Sequence, residues 1–339
     1  MTVQPVVVKL GGDALHSPER IAAGARRLAR LARNEPVVAV VSARRGVTDH
    51  LLGLVEDVRT AVGAPARAHP EADRAVATGE VVTASLLALA LDELGVESVS
   101  LDSREAGVRA GGSFGGASIR RIAAGRLRSL LDRGIVPVVT GFQGWHRGRV
   151  ATLGRGGTDT TAVALAAALG ASRVVFVKDA PGLRTADPKL VPDSQPIPWA
   201  PHRFLTALTA AGARVLRAEA AQLGERHRLT LEFHPLEGDG PLTVVADGIP
   251  GAGLRAVTLG TAVHGAVPVT AVFADPAEIP ELAEPLEQKL TAAGIPSVTR
   301  GVAYHGLRLL VPEPLAHTAL LALHEALAGP VATAVGTGR

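Results

Sequence analysis

Five short runs at 3–10, 36–41, 96–101, 135–140 and 172–177 are rich in Val, Ile and Leu, and helix-like sequence separates most of them. No other feature constrains the fold as strongly. A strand that is apolar on both faces has to be covered on both faces, and strands that alternate with helices feed parallel pairing. The expectation is an α/β fold, a three-layer α/β/α sandwich around a mainly parallel sheet. Ser17-Pro18 starts the first helix, with Ser17 as N-cap and Pro18 at the first helical position. Further helices are expected at 47–62, from Gly79-Glu80 to Leu94, at 116–133, at 158–170 and at 203–225.

The pattern changes after about residue 228. Strands at 229–233 and 242–245 close the first region, and the Gly/Pro-rich stretch 247–253 reads as a linker. Beyond it come a strand (267–273), a helix (280–293), two strands (297–302 and 307–311), a helix (315–327) and a last strand near Val331. That β-α-β-β-α-β order suggests a small α+β ferredoxin-like domain. Two domains are therefore expected, 1–246 and 254–339, in line with a length of 339 residues.

Composition removes several function classes. The chain has no cysteine, which excludes disulfides, thiolate metal sites and Cys nucleophiles. The first strand starts within a few residues of Met1, which fits neither a signal peptide nor a transit peptide, and apolar runs such as 161–171 are too short for a bilayer. No membrane partner and a cytoplasmic location are the simplest expectation. Net charge is only +3 and aromatics make up 3%, leaving little with which to stack bases or track a phosphate backbone, so no nucleic-acid partner is expected. The eleven histidines are scattered without zinc spacing. Only four of 35 basic residues are lysine, at positions 9, 178, 189 and 289. Lys9 and Lys178 directly follow strand-like runs, where a compact ammonium differs most from a planar guanidinium.

In open α/β sheets, ligands gather at the carboxyl ends of the strands. The loops expected there are 9–14, 42–49, 78–80, 140–144, 152–160 and 178–189. The segment Thr152-Leu-Gly-Arg-Gly-Gly-Thr-Asp-Thr-Thr-Ala162 places Arg155 and Asp159 among three glycines, just before an apolar helix. Glycines let backbone lie against a ligand, and the free N–H groups of a helix start favour an anion. Lys9-Leu-Gly-Gly12 supplies an ammonium and unshielded N–H groups at another strand end, without the spacing of a Walker loop. Lys178-Asp179 and the stretch to Lys189 form a further polar loop suited to a nucleotide, although its turn-forming residues also fit a purely structural turn. These elements suit phosphoryl transfer, which asks a protein mainly for positioning and charge neutralisation. Asp159 could orient Lys9 or hold a metal through water, since Mg²⁺ usually takes one or two carboxylates plus phosphate oxygens, and no dedicated protein metal cage is expected.

These segments resemble aspartokinase, of the amino acid kinase family. The resemblance lies in 152–162, Val138-Val-Thr-Gly-Phe-Gln-Gly144, Thr78-Gly-Glu80, Val40-Val-Ser-Ala43 with Thr48-Asp49, and Lys178–Pro188 with Val191-Pro-Asp193. It covers about 1–235 closely, and the tail resembles the ACT regulatory region more loosely. It implies the amino acid kinase fold, ATP with Mg²⁺, a small amino-acid acceptor and a homodimer. Lys9 then neutralises the transferring phosphoryl group, Gly11 and Gly12 donate N–H groups, and Asp159 organises the transfer. Arg155 grips the acceptor's carboxylate, Glu80 meets its ammonium, and Ser42 and Thr48 supply hydroxyls on the acceptor side. Nucleotide contacts fall on Asp179, on Lys189 where the family commonly has Arg, and on Arg214 where it commonly has Lys. Lys178 and Arg184 stand on the same side, replacing Thr and Tyr.

The departures bear on the acceptor. The family's K-F-G-G-T-S is here Lys9-Leu-Gly-Gly-Asp13-Ala14, so a carboxylate and a methyl replace two hydroxyls. Asp13 either caps its own turn or marks a changed acceptor. Arg217-Ala218 stands where the family has H-P, and the tail has room for one ACT-like unit instead of two. Three readings stay open at this point: a kinase of aspartate or a close relative, a kinase of another small acid, and a catalytically silent sensor of nucleotide and amino acid.

Overall fold

The computed structural model describes residues 4–178, 182–238, 240–249, 251, 253–296, 299–303 and 305–327. By its internal contacts the chain forms two compact units: 1–180 with 229–240, and 181–228 with 241–339. This division differs from the boundary expected between 246 and 254, because 181–228 cluster with the C-terminal region and 229–240 return to the first unit.

In the first unit the strands are β1 (Val6–Leu10), β2 (Val37–Val41), β3 (Ser98–Leu101), β4 (Val108–Gly111), β5 (Ser118–Ile122), β6 (Val136–Thr140), β7 (Gln143–His146), β8 (Arg149–Thr152) and β9 (Arg173–Val177). The helices are α1 (Pro18–Ala32), α2 (Val47–Ala61), α3 (Pro70–Val76), α4 (Thr78–Asp92), α5 (Gly125–Asp132) and α6 (Gly157–Leu169). In the second unit come β10 (Leu183–Arg184), β11 (Pro196–Ile197), β12 (Trp199–Ala200), α7 (His202–Ala210) and α8 (Ala218–Arg226). The chain then returns to the first unit for β13 (Thr230–His234).

The first unit is the expected layered α/β structure. Its strands run β13-β9-β1-β2-β6-β3, with every neighbouring pair parallel. Val6, Val8 and Leu10 of β1 join Val37, Ala39, Val41, Val136, Val138, Val175 and Val177 in one cluster with α1 and α4. Alternation along β1 turns Val7 and Lys9 to the opposite face, where α6 packs on β1, β2 and β9. Ser17 caps α1, its side chain accepting from the Arg20 N–H, with Pro18 in the first turn.

One helix expectation is corrected. Residues 116–133 were expected to be a single helix, but 118–122 form β5 and only Gly125–Asp132 are helical. β5 pairs antiparallel with β4, and a second hairpin, β7–β8, joins them through a parallel contact of Arg109 with Trp145. Arg147 (φ 48°) and Gly148 (φ 79°) make the two-residue β7–β8 turn, both in the left-handed region, as a primed hairpin turn demands. Buried Asp73 of α3 ties this small sheet down, accepting from the N–H groups of Thr152 (2.6 Å) and Gly115 (2.9 Å).

The remaining strands and helices lie in the second unit: β14 (Thr243–Val245), β15 (Arg255–Leu259), β16 (Ala266–Phe273), α9 (Ile279–Ala292), β17 (Thr299–Ala303), β18 (Gly306–Pro312) and α10 (Ala316–Leu327). β12 pairs parallel with β14, and β10 antiparallel with β11. The helix expected over 203–225 is broken into α7 and α8 around Gly212 (φ 109°), where a Cβ would lie 2.8 Å from the Leu259 carbonyl oxygen. The four-stranded antiparallel sheet runs β15-β16-β18-β17, and its core is shared with α9 and α10. β15, absent from the sequence reading, occupies the edge beside β16. The strand expected near Val331 lies outside the described residues.

The stretch Pro70–Asp92 is long and apolar enough to cross a membrane by length and composition, but half of it is buried within the protein. It packs on α1 and β3 as a core helix does.

Replacing Asp73 with Ala leaves two backbone N–H groups without their charged acceptor. We expect a loss of about 2–4 kcal/mol, read as a lower urea midpoint. A midpoint equal to wild type would contradict the role given to Asp73.

Candidate functional site

Parallel register brings several strand ends to one edge. Lys9 stands level with Val40 of β2 and Phe176 of β9, and Thr140 of β6 stands level with Val41. Backbone hydrogen bonds stitch the loops beyond these strands: Ser42 N–H donates to the Leu10 carbonyl (3.2 Å), Arg45 N–H to Gly12 (3.2 Å) and Gly141 N–H to Val41 (2.9 Å). The β1 and β2 loops approach so closely that a Cβ on Gly12 would lie 2.6 Å from the Ala43 carbonyl oxygen. Gly156 (φ 78°) turns the chain into α6, where Asp159 sits in the first turn.

The centre of the site is one carboxylate between two ammonium groups. Lys9 Nζ lies 2.8 Å from Asp159 Oδ1, and Lys178 Nζ lies 3.5 Å from Oδ2. Lys9 and Asp159 are buried. Burial raises the Asp159 pKa, but the charges of Lys178 and Lys9 outweigh it and hold the carboxyl below its usual range. Burial pushes the Lys178 ammonium down, with Asp159 opposing the shift and Lys9 adding to it. Lys178 also lies over the rings of Phe176 (5.6 Å) and Phe233 (5.9 Å), which stack on each other.

Glu80, in the first turn of α4, is buried, and its Oε1 accepts from the Ala43 N–H at 2.9 Å. Among the described residues its Oε2 is buried without a hydrogen-bond partner. Desolvation pushes this carboxyl up to about 7, against the opposing backbone hydrogen bonds. Such a group suits a ligand cation, which would restore its charged form. Arg155 is largely exposed and lies 2.6 Å from Asp49, the neighbour of half-buried Thr48 on α2. An exposed pair of this kind contributes at most about 1 kcal/mol, so a ligand carboxylate can displace Asp49 at little cost. Ser42 is also half-buried.

Asp13 does not cap its own turn. Gly12 precedes that turn without a side-chain cap, and the Asp13 carboxylate pairs with Arg45 at 2.9 Å, both groups exposed. Arg45 was not singled out in the sequence, although the double arginine in Ser42-Ala-Arg-Arg-Gly46 was a usable signal. Gly11 lies in the same turn, where a Cβ would sit 3.5 Å from Lys9 Nζ.

The expected nucleotide residues fall in two places. Lys178 is in the centre just described, whereas Arg184, Lys189 and Arg214 belong to the second unit, and Asp179 lies outside the described residues. Arg184 Nε donates to Ser194 Oγ at 3.0 Å, and its Nη2 donates to the Ser194 carbonyl, which orders its own loop. Lys189 and Arg214 are exposed. Among the described residues no three Asp, Glu or His side chains converge on a metal-sized site. Both oxygens of Asp159 already face ammonium groups. These residues do not suit a resident metal, and a Mg²⁺ would be held by the phosphate oxygens of a nucleotide.

The sequence profile of the amino acid kinase family matches residues 4–231. This chain belongs to the amino acid kinase family. It is 36% identical over 247 residues to an aspartokinase of Mycolicibacterium smegmatis, covering 72% of this chain and 58% of that protein. An aspartokinase of Bacillus sp. (strain MGA3) is 39% identical over 232 residues, covering 67% of this chain and 54% of the relative. The chain therefore aligns with a little over half the length of such relatives. Among solved structures, E. coli aspartokinase III in complex with aspartate and ADP matches with a TM-score of 0.81 at 20% identity, over 95% of this chain and 99% of that one. Clostridium acetobutylicum aspartate kinase matches with a TM-score of 0.70 at 15% identity, over 95% and 100%. These structural matches establish the fold.

For this family member the buried Glu80 sets a pH test. Its carboxyl, raised from 4.5 to about 7, favours folding fully below the unfolded value and loses that contribution as pH rises through the folded value. Relative to Glu80→Gln, wild-type stability is expected to fall by roughly 3 kcal/mol between about pH 4.5 and 7. Denaturant unfolding of both proteins across that range checks it, and parallel stability curves would contradict it.

Proposed function

We propose that the protein is an ATP-dependent phosphotransferase that phosphorylates the side-chain carboxylate of aspartate or a close relative, giving an acyl phosphate. The observation that carries this reading is Asp159 held between Lys9 and Lys178 at the ends of neighbouring strands. Buried ammonium groups gathered around one carboxylate at strand ends suit the neutralisation of a phosphoryl group. The family, the relatives' names and the aspartate and ADP bound by E. coli aspartokinase III support the same reading.

In this reading Lys9 neutralises the transferring group, Gly11 and Gly12 donate N–H groups, and Asp159 fixes the ammonium geometry. Glu80 meets the acceptor's ammonium, Arg155 exchanges Asp49 for the acceptor's carboxylate, and Ser42 and Thr48 line the acceptor side. Asp179, Arg184, Lys189 and Arg214 are assigned to the nucleotide. The protein needs no general base, because the attacking carboxylate is already ionised at neutral pH. We further propose that 1–246 carries catalysis and 254–339 an ACT-like regulatory fold. The protein would work in the cytoplasm as a homodimer, which light scattering tests by mass.

A second reading, a kinase of another small amino acid or acidic metabolite, is favoured by Asp13 and Ala14 standing where the family has two hydroxyls. Arg45 neutralises Asp13, so the carboxylate that replaces a family hydroxyl need not repel a triphosphate.

Hydroxylamine trapping with ATP and a panel of amino acids and small acids tests the reading. We expect a hydroxamate from aspartate or one close relative, reduced about 10²–10³-fold by Lys9→Ala. Asp13→Thr combined with Ala14→Ser is expected to shift preference towards aspartate if another acid is favoured. ATP binding without transfer to any acceptor would replace the kinase reading with that of a nucleotide sensor.

A further inference from the structure

The small sheet of β4, β5, β7 and β8 carries a group of arginines that phosphoryl transfer leaves unused. Register sets Arg121 of β5 opposite Arg109 of β4, and Arg109 level with Trp145 of β7. Level residues on neighbouring strands share a face, so these three form one row across the sheet. The other face holds the apolar cluster that includes Ala110, Ile119, Ala151 and Leu153. The β4–β5 register shifts after Arg109, so that Ala110 is level with Ile119 and Arg120 is the extra residue of a bulge. Such a bulge re-aims its side chain. A Cβ on Gly111 would lie 3.0 Å from Arg120 Nε, so the glycine gives this arginine room to lie across the same outer face. Arg104, in the turn before β4, stands over the Trp145 ring at 5.1 Å.

Arg104, Arg109, Arg120 and Arg121 are exposed, and Trp145 is half-buried. Among the described residues none of the four arginines forms an ion pair. Glu105, the acidic neighbour of Arg104 in sequence, is engaged elsewhere. Its Oε2 accepts from the Asp102 N–H at 3.1 Å, and its Oε1 pairs with Arg126 at 3.4 Å. Like charges directly opposite on paired strands cost stability, so Arg109 and Arg121 gain nothing for the fold by facing each other. The whole chain has a net charge of only +3, which makes the positive row a local feature and not the average of a basic protein.

We propose that this outer face is a docking surface for an acidic segment of a partner protein. Carboxylates of that segment pair with Arg109, Arg120 and Arg121, and Trp145 under Arg104 supplies the apolar anchor. Guanidinium forks match carboxylates bidentately, and tryptophan with arginine is the combination enriched where interface energy concentrates. A nucleic acid suits the face less well, because one half-buried indole offers no succession of stacking platforms for bases. This docking role does not depend on phosphoryl transfer.

The probe is a fluorescein-labelled Glu-rich peptide titrated against the full chain by anisotropy, with a Lys-rich peptide and a single-stranded oligonucleotide alongside. The Glu-rich peptide is expected to bind and the Lys-rich one is not. Arg109→Gln combined with Arg121→Gln should weaken the Glu-rich peptide about tenfold or more. Arg30→Gln combined with Arg33→Gln removes the same charge from exposed positions at the end of α1, and should change affinity less than about twofold. The chain has two tryptophans, so Trp199→Phe leaves Trp145 as its only indole, and unlabelled peptide should then alter the emission. Arg121→Gln alone is expected to raise the urea midpoint by relieving the like-charge contact, a gain that shrinks in high salt. The proposal is overturned by no binding of the Glu-rich peptide, by equal losses in the two double variants, or by tighter binding of the oligonucleotide through the same arginines. Trp145 emission indifferent to saturating peptide would overturn it even if an arginine variant fails to fold, and a lower urea midpoint for a folded Arg121→Gln would contradict the repulsion it is built on.

Discussion

The placement of Asp159 between Lys9 and Lys178 is the interaction on which the rest of the site depends. It works only because three independent features of the chain agree. Alternation along β1 turns Lys9 to the α6 face, register sets β9 beside it, and the left-handed Gly156 lets α6 begin with Asp159 in its first turn. A side chain on Gly12 would push the β1 and β2 loops apart and move the Lys9 turn away from Ala43, the residue that holds Glu80. The central cations and the Glu80 carboxylate are thereby linked through backbone, and no flexible surface contact is required.

The two carboxylates in this region behave in opposite ways for one physical reason. Both Asp159 and Glu80 are buried, and burial alone favours their neutral forms. Two ammonium groups reverse that for Asp159, whereas Glu80 has only backbone donors and one oxygen without a partner. Asp159 is complete as it stands, and Glu80 lacks its counter-charge. In the proposed reading that difference separates a residue that organises the site from one that meets a ligand.

Much of this was legible in the sequence where local physics decides. The aliphatic runs around Val6–Leu10, Val37–Val41 and Arg173–Val177 had to be buried parallel strands, and Ser17-Pro18 had to start a helix. Lys9, Arg155 and Asp159 stood out by residue type beside glycines, and Glu80 through the resemblance to aspartokinase. What failed depends on tertiary partners. Ser118–Ile122 has helix-compatible composition, and it becomes a strand because β4 offers it an edge. The break between α7 and α8 comes from the backbone at Gly212 lying against Leu259, a residue distant in sequence. Arg45 escaped notice because an exposed arginine in a turn is ordinary until Asp13 is found 2.9 Å away.

Transfer to a carboxylate oxygen is the central claim, and the fate of that oxygen tests it most directly. The acceptor is supplied with ¹⁸O in its carboxylates, and the product is cleaved by hydroxylamine at the acyl carbon. Phosphorus NMR of the released phosphate then shows whether the label crossed. The account predicts one ¹⁸O atom in each phosphate, carried across in the new P–O bond. Phosphate free of label, released alongside ADP, would contradict it.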